Sequence, residues 1–115
     1  MEEKIINFDL IKQIMGDDIE TLNSFFELFK EQSKIEINDL NKFIDEKNWE
    51  RVSEIAHKLK SSYGGIGSTS AYDILSEMEL KSKNEPDYNL ILDLSKKFLD
   101  VNNKILEIME NFISN

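Results

Sequence analysis

The chain has 115 residues, no cysteine and a formal net charge of −9. That length fits one domain, residues 1–115, able to bury roughly two thirds of the surface its unfolded chain exposes, and the missing thiols exclude disulfides, thiolate metal sites and cysteine nucleophiles. The acidic balance argues against nucleic acid, whose recognition needs a basic surface that releases counterions from phosphates, and against anionic membranes.

From the N-terminus, MEEKIINFDLIKQIMGDDIE carries acids every few positions and no continuous apolar run, and no later segment approaches the roughly 20 apolar residues of a membrane span. A cytoplasmic location is therefore expected. A short helix, FDLIKQIM, is predicted after a cap at Asn7 or Asp9 and stops at Gly16, a suitable residue just past a helix C-terminus. From Asp18 to Lys47 one long amphipathic helix is predicted, with Ile19, Leu22, Phe26, Phe29, Ile37, Leu40 and Ile44 at three/four spacing, interrupted at Ser33. The next runs from Trp49 to about Ile66, with Val52, Ile55, Ala56, Leu59, Tyr63 and Ile66 on one stripe. Glycines mark its end. A further helix starts near Ser68 to Ser70, whose hydroxyls suit a cap, and presents Ala71, Ile74, Leu75 and Met78. After the break KSKNEPD, the last helix spans Tyr88 to about Ile113, with Ile91, Leu94, Phe98, Val101, Ile105, Ile108 and Phe112 inward. The expected fold is all-α: an antiparallel four-helix bundle with a short additional N-terminal helix.

The chain's single histidine is His57, inside AHKLKSSYGGIG. At about 100° per residue it lies about 140° from the core stripe of its helix and faces out of the bundle. A lone histidine on a solvated face is usually an ordinary surface residue, but three features of its setting point to chemistry. The neighbouring turns are mostly small, and Gly64 costs helix stability relative to alanine, which is understandable if bulk there obstructs the approach to the ring; helix termination is the competing reason. Lys60, three residues on, can turn its ammonium toward an anion on the imidazole. A neutral imidazole is also a competent nucleophile toward phosphorus. Together these describe a docking platform for phosphoryl transfer.

AHKLKSSYGGIGSTSAYDILSEME, Ala56 to Glu79, resembles the signature of histidine-containing phosphotransfer (HPt) domains. The elements shared are His57, Leu59, Lys60, Ser62, Gly67, Ile74, Met78 and Glu79, and FDLIKQIMGDD and NWERVSEIAHKLK extend the similarity upstream. One departure is Ser61, where the family usually has glycine; serine is still small and offers a hydroxyl to a phosphate. A second is Ser68, where alanine is frequent. The resemblance implies a stoichiometric carrier without catalytic activity of its own. In that role His57 takes a phosphoryl group from a phospho-aspartate on the receiver domain of a response regulator or hybrid histidine kinase, and passes it to another receiver. Lys60 and Ser61 would hold phosphate oxygens and Gly64 would leave access. It also implies an apolar docking patch around the histidine, for which Ile11, Met15 and Leu28 are candidates, with Lys58 at its edge. No cofactor is expected in this chain, since a divalent metal such as Mg would come with the receiver; the carrier is expected to be monomeric.

Other chemistries fit less well. GGIGSTS follows a helix and lacks the ending of a phosphate-binding loop, one histidine among scattered acids offers no metal-ligand spacing, and Ser61 and Ser62 beside His57 have no oxyanion hole to complete a triad. The rival reading is an inert helical adaptor that binds a receiver or kinase through the same face without accepting phosphate.

Overall fold

A computed structural model describes residues 2–114, so residues 1 and 115 of the expected domain lie outside the described residues. They form six helices: α1 Glu2–Ile5, α2 Phe8–Met15, α3 Ile19–Asp45, α4 Trp49–Gly65, α5 Thr69–Lys83 and α6 Tyr88–Ser114. The last four are the bundle. Side-chain caps start α2 to α5 where the sequence offers an oxygen: Asn7 accepts from the Leu10 amide, Asp18 from Thr21, Asn48 from Arg51 and Ser68 from Ala71, each satisfying an amide that has no partner within its own helix. The single turn α1 has no counterpart in the sequence reading.

Around the bundle α3 packs on α4 and α6, and α5 on α4 and α6, with α4 and α5 the most closely associated pair. The core is one cluster that includes Phe26, Leu40, Val52, Leu59, Tyr63, Leu75, Met78 and Phe98. The helices α3 and α6, 27 residues each, outlast α4 and α5, at 17 and 15. Where they run on alone α2 closes over them, and Phe8 meets Phe26 and Phe112 at ring-centroid distances of 5.9 and 5.6 Å. That closure buries Ile11 to 1 % exposure. Ile19, expected in the core stripe, is exposed because it opens α3 at the very end of the bundle.

Two polar features sit inside this core. The Tyr63 hydroxyl donates to Asn102 Oδ1 on α6. Burial pushes the phenol's ionisation well above its usual range, the Ser33 hydroxyl opposing and the Glu36 charge adding to the shift. Glu36 itself falls on the inward stripe of α3 and is buried, an acid that the apolar spacing passed over.

The α4–α5 turn is fixed by Gly67. Its φ is +73°, and a Cβ there would come within 2.4 Å of the Asn7 Cβ. Only glycine tolerates both constraints. The close approach lets the Asn7 amide donate to the Ile66 carbonyl at 2.9 Å, tying the start of α2 to the end of α4. The short helix is thereby set beside the face that carries His57.

Candidate functional site

His57 lies in the middle of α4 with its side chain 64 % exposed, as its angle from the core stripe requires. Its ring is held from the neighbouring helix. Glu79 on α5 places Oε2 3.1 Å and Oε1 3.3 Å from His57 Nδ1. His57 and Glu79 stand equally far along the chain on either side of Ser68, the cap between the two helices, so the antiparallel hairpin brings them level.

Glu79 is buried and bears two further cations: Lys60 Nζ lies 2.9 Å from Oε1, and Lys83 Nζ 3.1 Å from Oε2. Burial by itself raises the pKa of this carboxyl. The hydrogen bonds from Lys60, Lys83 and His57, with the charge of Lys60, outweigh it and bring the pKa down to about 2. An ionised carboxylate has no proton to give, so Nδ1–H must be the donor. In the neutral ring Nε2 then carries the free lone pair. The pairing thus selects the tautomer as well as the orientation, and Nε2 is the nitrogen left for an incoming electrophile.

Lys60 is half-buried, and the hydrogen bond to Glu79 raises its pKa above the ordinary lysine value, against the effect of burial. Its ammonium also lies 5.7 Å from the centre of the Tyr72 ring. Gly64, expected to leave access to the imidazole, borders Tyr72 of α5. A Cβ at Gly64 would meet Tyr72 Cδ2 at 3.1 Å and Cε2 at 3.4 Å, so the missing side chain gives room to that ring.

Ser61 and Ser62 turn their hydroxyls onto the helix, Ser61 donating to the His57 carbonyl at 3.3 Å and Ser62 to that of Lys58 at 3.4 Å. A phosphate bond from Ser61 therefore requires a rotation of its hydroxyl. Lys58 is exposed.

The apolar candidates divide. Leu28 is 63 % exposed and Met15 half-buried, and both line a depression with Phe25. Ile11 is buried, so the expectation of an exposed contact there is corrected; the side chain that α2 turns outward is Ile14, at 65 % exposure. A second depression of about 260 Å³ runs between Ile14, Met15 and Phe25 on one side and Ser61, Ser62 and Gly65 on the other, with Ile11 and Phe29 in its lining. Ser61 is one helical turn from His57, so apolar surface reaches the turn beside the imidazole.

His57 and Lys60, singled out from the sequence, meet on one carboxylate; the ion pairs of Glu79 with these residues and with Lys83, the Tyr72 contact with Lys60 and the exposure of Ile14 were not anticipated. Among the described residues no three His, Cys, Asp or Glu side chains cluster as a metal site, and no helix is long and apolar enough to cross a membrane.

The model of the Hpt domain family matches residues 24–113, which takes in all four bundle helices except the first turn of α3 and the end of α6. The chain belongs to the Hpt domain family. Hpt domains are the histidine-containing phosphotransfer modules of phosphorelays and work with receiver and kinase domains, so the role of this chain is of that class. No curated protein and no solved structure gives a significant match.

Proposed function

We propose that His57 is the phosphoacceptor of this Hpt domain and that the chain relays phosphoryl groups between receiver domains. The observation that carries the reading is the pairing of Nδ1 with Glu79, which presents Nε2 to solvent with its lone pair free. In the step proposed, that lone pair forms an N–P bond as the P–O bond to the receiver's aspartate breaks, and the aspartate leaves as a carboxylate. Nδ1 keeps its proton throughout. The positive charge that grows on the ring is met by the Glu79 carboxylate, and the return step reverses the same bonds.

Charge on the transferring oxygens is neutralised by Lys60 and by a divalent metal such as Mg carried in the receiver's acidic pocket. Lys60, held on the carboxylate that also pairs with the ring, is the cation offered to a phosphate on Nε2, and Lys83 is a second cation on Glu79. The receiver docks on the apolar surface of Ile14, Met15, Phe25 and Leu28 and on the small residues Ser61 and Gly65, with Lys58 at the rim. Gly64 borders the Tyr72 ring on α5, with Lys60 on the same ring.

The test is to mix the protein with a receiver carrying labelled phospho-aspartate. Label should move to the chain, be lost in acid and survive alkali, as a phosphoramidate does, and His57→Gln should abolish it with Tm nearly unchanged, because the exposed ring contributes little packing. Measurable binding with no transfer of label would leave an adaptor and overturn the carrier.

A further inference from the structure

Lys60 is unusually well placed for a surface lysine. Its side chain is 21 % exposed, whereas Lys83, which pairs with the same carboxylate, is 58 % exposed. Lysine loses a large amount of rotamer freedom when it is fixed, so an ammonium held in one place needs contacts on more than one side. Glu79 supplies one, at 2.9 Å. The other is the face of Tyr72, 5.7 Å from Nζ to the ring centre, inside the range in which a ring attracts a cation.

Core packing does not account for the position of Tyr72. The residue is 42 % exposed, and its ring rests on Gly64 of α4, where an added Cβ would lie 3.1 Å from Cδ2. Gly64 is not among the residues of positive φ, so its backbone does not demand glycine. A helical glycine costs stability relative to alanine, and what the chain gains for that cost is a seat for the ring. Gly64 and Tyr72 stand equally far either side of Ser68, in the same register that sets Glu79 against His57. The carboxylate and the ring are therefore two turns apart on one face of α5, with the Lys60 side chain between them.

We propose that Tyr72 is a positioning residue for Lys60: ring and carboxylate clamp the ammonium beside the imidazole, and Gly64 provides the ring's seat. The proposal rests on the reading of His57 as phosphoacceptor. It adds that the cation is set in place before the phosphoryl group arrives, so that transfer does not have to spend the entropy of ordering it.

The experiment measures phosphorylation of His57 by phosphoramidate, a small donor that needs no docking surface, and by a phosphorylated receiver, for Tyr72→Ala and Tyr72→Phe in the native and Lys60→Ala backgrounds. Tyr72→Ala should slow the native protein about two- to fivefold, the rate equivalent of an exposed cation–ring contact. Tyr72→Phe should match the native rate, and Tyr72→Ala should have no effect once Lys60 is gone. Equal slowing in both backgrounds, or none in the native one, would overturn the proposal. The Lys60 methylene protons give a readout independent of transfer: a ring-current shift kept in Tyr72→Phe and lost in Tyr72→Ala. If neither donor phosphorylates His57 the relay reading fails, and the ring-current shift still decides whether the clamp exists; its absence in the native protein overturns it.

Discussion

Glu79 reaches from α5 to His57 on α4, with Oε2 3.1 Å from Nδ1, and the same carboxylate holds Lys60 at 2.9 Å. One buried acid thus fixes both the imidazole proposed as the nucleophile and the cation proposed to assist it. The arrangement resembles in logic a histidine held by a carboxylate in other catalytic settings, where the acid sets the tautomer and steadies the charge that forms on the ring.

Removing Glu79 should therefore affect chemistry more than docking. We expect Glu79→Ala to slow transfer by about one to two orders of magnitude, the effect of losing the partner that orients a reacting histidine, with receiver affinity little changed. Glu79→Gln keeps an acceptor for Nδ1–H without the charge and should fall between. Nitrogen NMR of His57 gives the direct check: the native neutral ring should be protonated on Nδ1. Protonation on Nε2 would remove the nucleophile from the exposed side and refute the assignment.

The same carboxylate makes stability depend on acid. Its pKa is lowered from 4.5 to about 2, the hydrogen bonds from Lys60, Lys83 and His57 outweighing burial. Between those values the unfolded chain binds a proton that the folded chain does not, so stability falls as pH falls across that window; above 4.5 the contribution is fully present, and below 2 no more is lost. Urea midpoints measured from pH 5 to pH 2 should decline less steeply in Glu79→Gln than in the native protein. Parallel profiles would mean that the ion pairs do not stabilise the fold.

Much of the fold was legible because caps and periodicity are local. Asn7 or Asp9, the stretch from Asp18, and the hydroxyls of Ser68 to Ser70 marked three helix starts, which the structure caps at Asn7, Asp18 and Ser68, and the angle of His57 from its stripe gave its exposure. What escaped depends on how one helix lies on another. Ile11 and Ile14 both belong to an amphipathic turn, and only the seating of α2 over the ends of α3 and α6 decides that the first is buried and the second exposed. Glu79 came with the family signature but without a role, since a carboxylate 22 residues from its partner acquires one only when the hairpin's register is known. Ser68 as the midpoint of that hairpin was in the sequence; the pairing of His57 with Glu79 and of Gly64 with Tyr72 follows once α4 and α5 are set antiparallel.

Gly67 is the position where the turn should be least tolerant. Alanine there would have to hold φ at +73° and place its Cβ 2.4 Å from that of Asn7. A left-handed conformation costs about 1–2 kcal/mol and overpacking about 1–3 kcal/mol, so Gly67→Ala should lose about 2–5 kcal/mol, read as a lower denaturant midpoint at unchanged slope. Displacement of Asn7 would also loosen α2 and reduce receiver binding. A variant as stable as the native protein would show that the α2–α4 junction yields freely.

Glu36 offers a change in the opposite direction. It occupies the inward stripe of α3 at 4 % exposure, with one oxygen 3.3 Å from Gln32 Nε2 and Oε2 without a hydrogen-bond partner among the described residues. A buried oxygen left unpaired costs about 1–3 kcal/mol, and methionine of similar length would replace it with apolar contact. Glu36→Met should therefore raise stability by about 1–2 kcal/mol, a rise in Tm of several degrees for a domain of this size. Glu36→Gln, which keeps the shape and removes the charge, should gain less. Transfer to His57 should be unaffected in both, since Glu36 is outside the site built by α4 and α5. If Glu36→Met instead lowers Tm, the carboxylate is satisfied in the folded protein, and the acid on the core stripe stabilises the bundle through contacts that a methionine cannot replace.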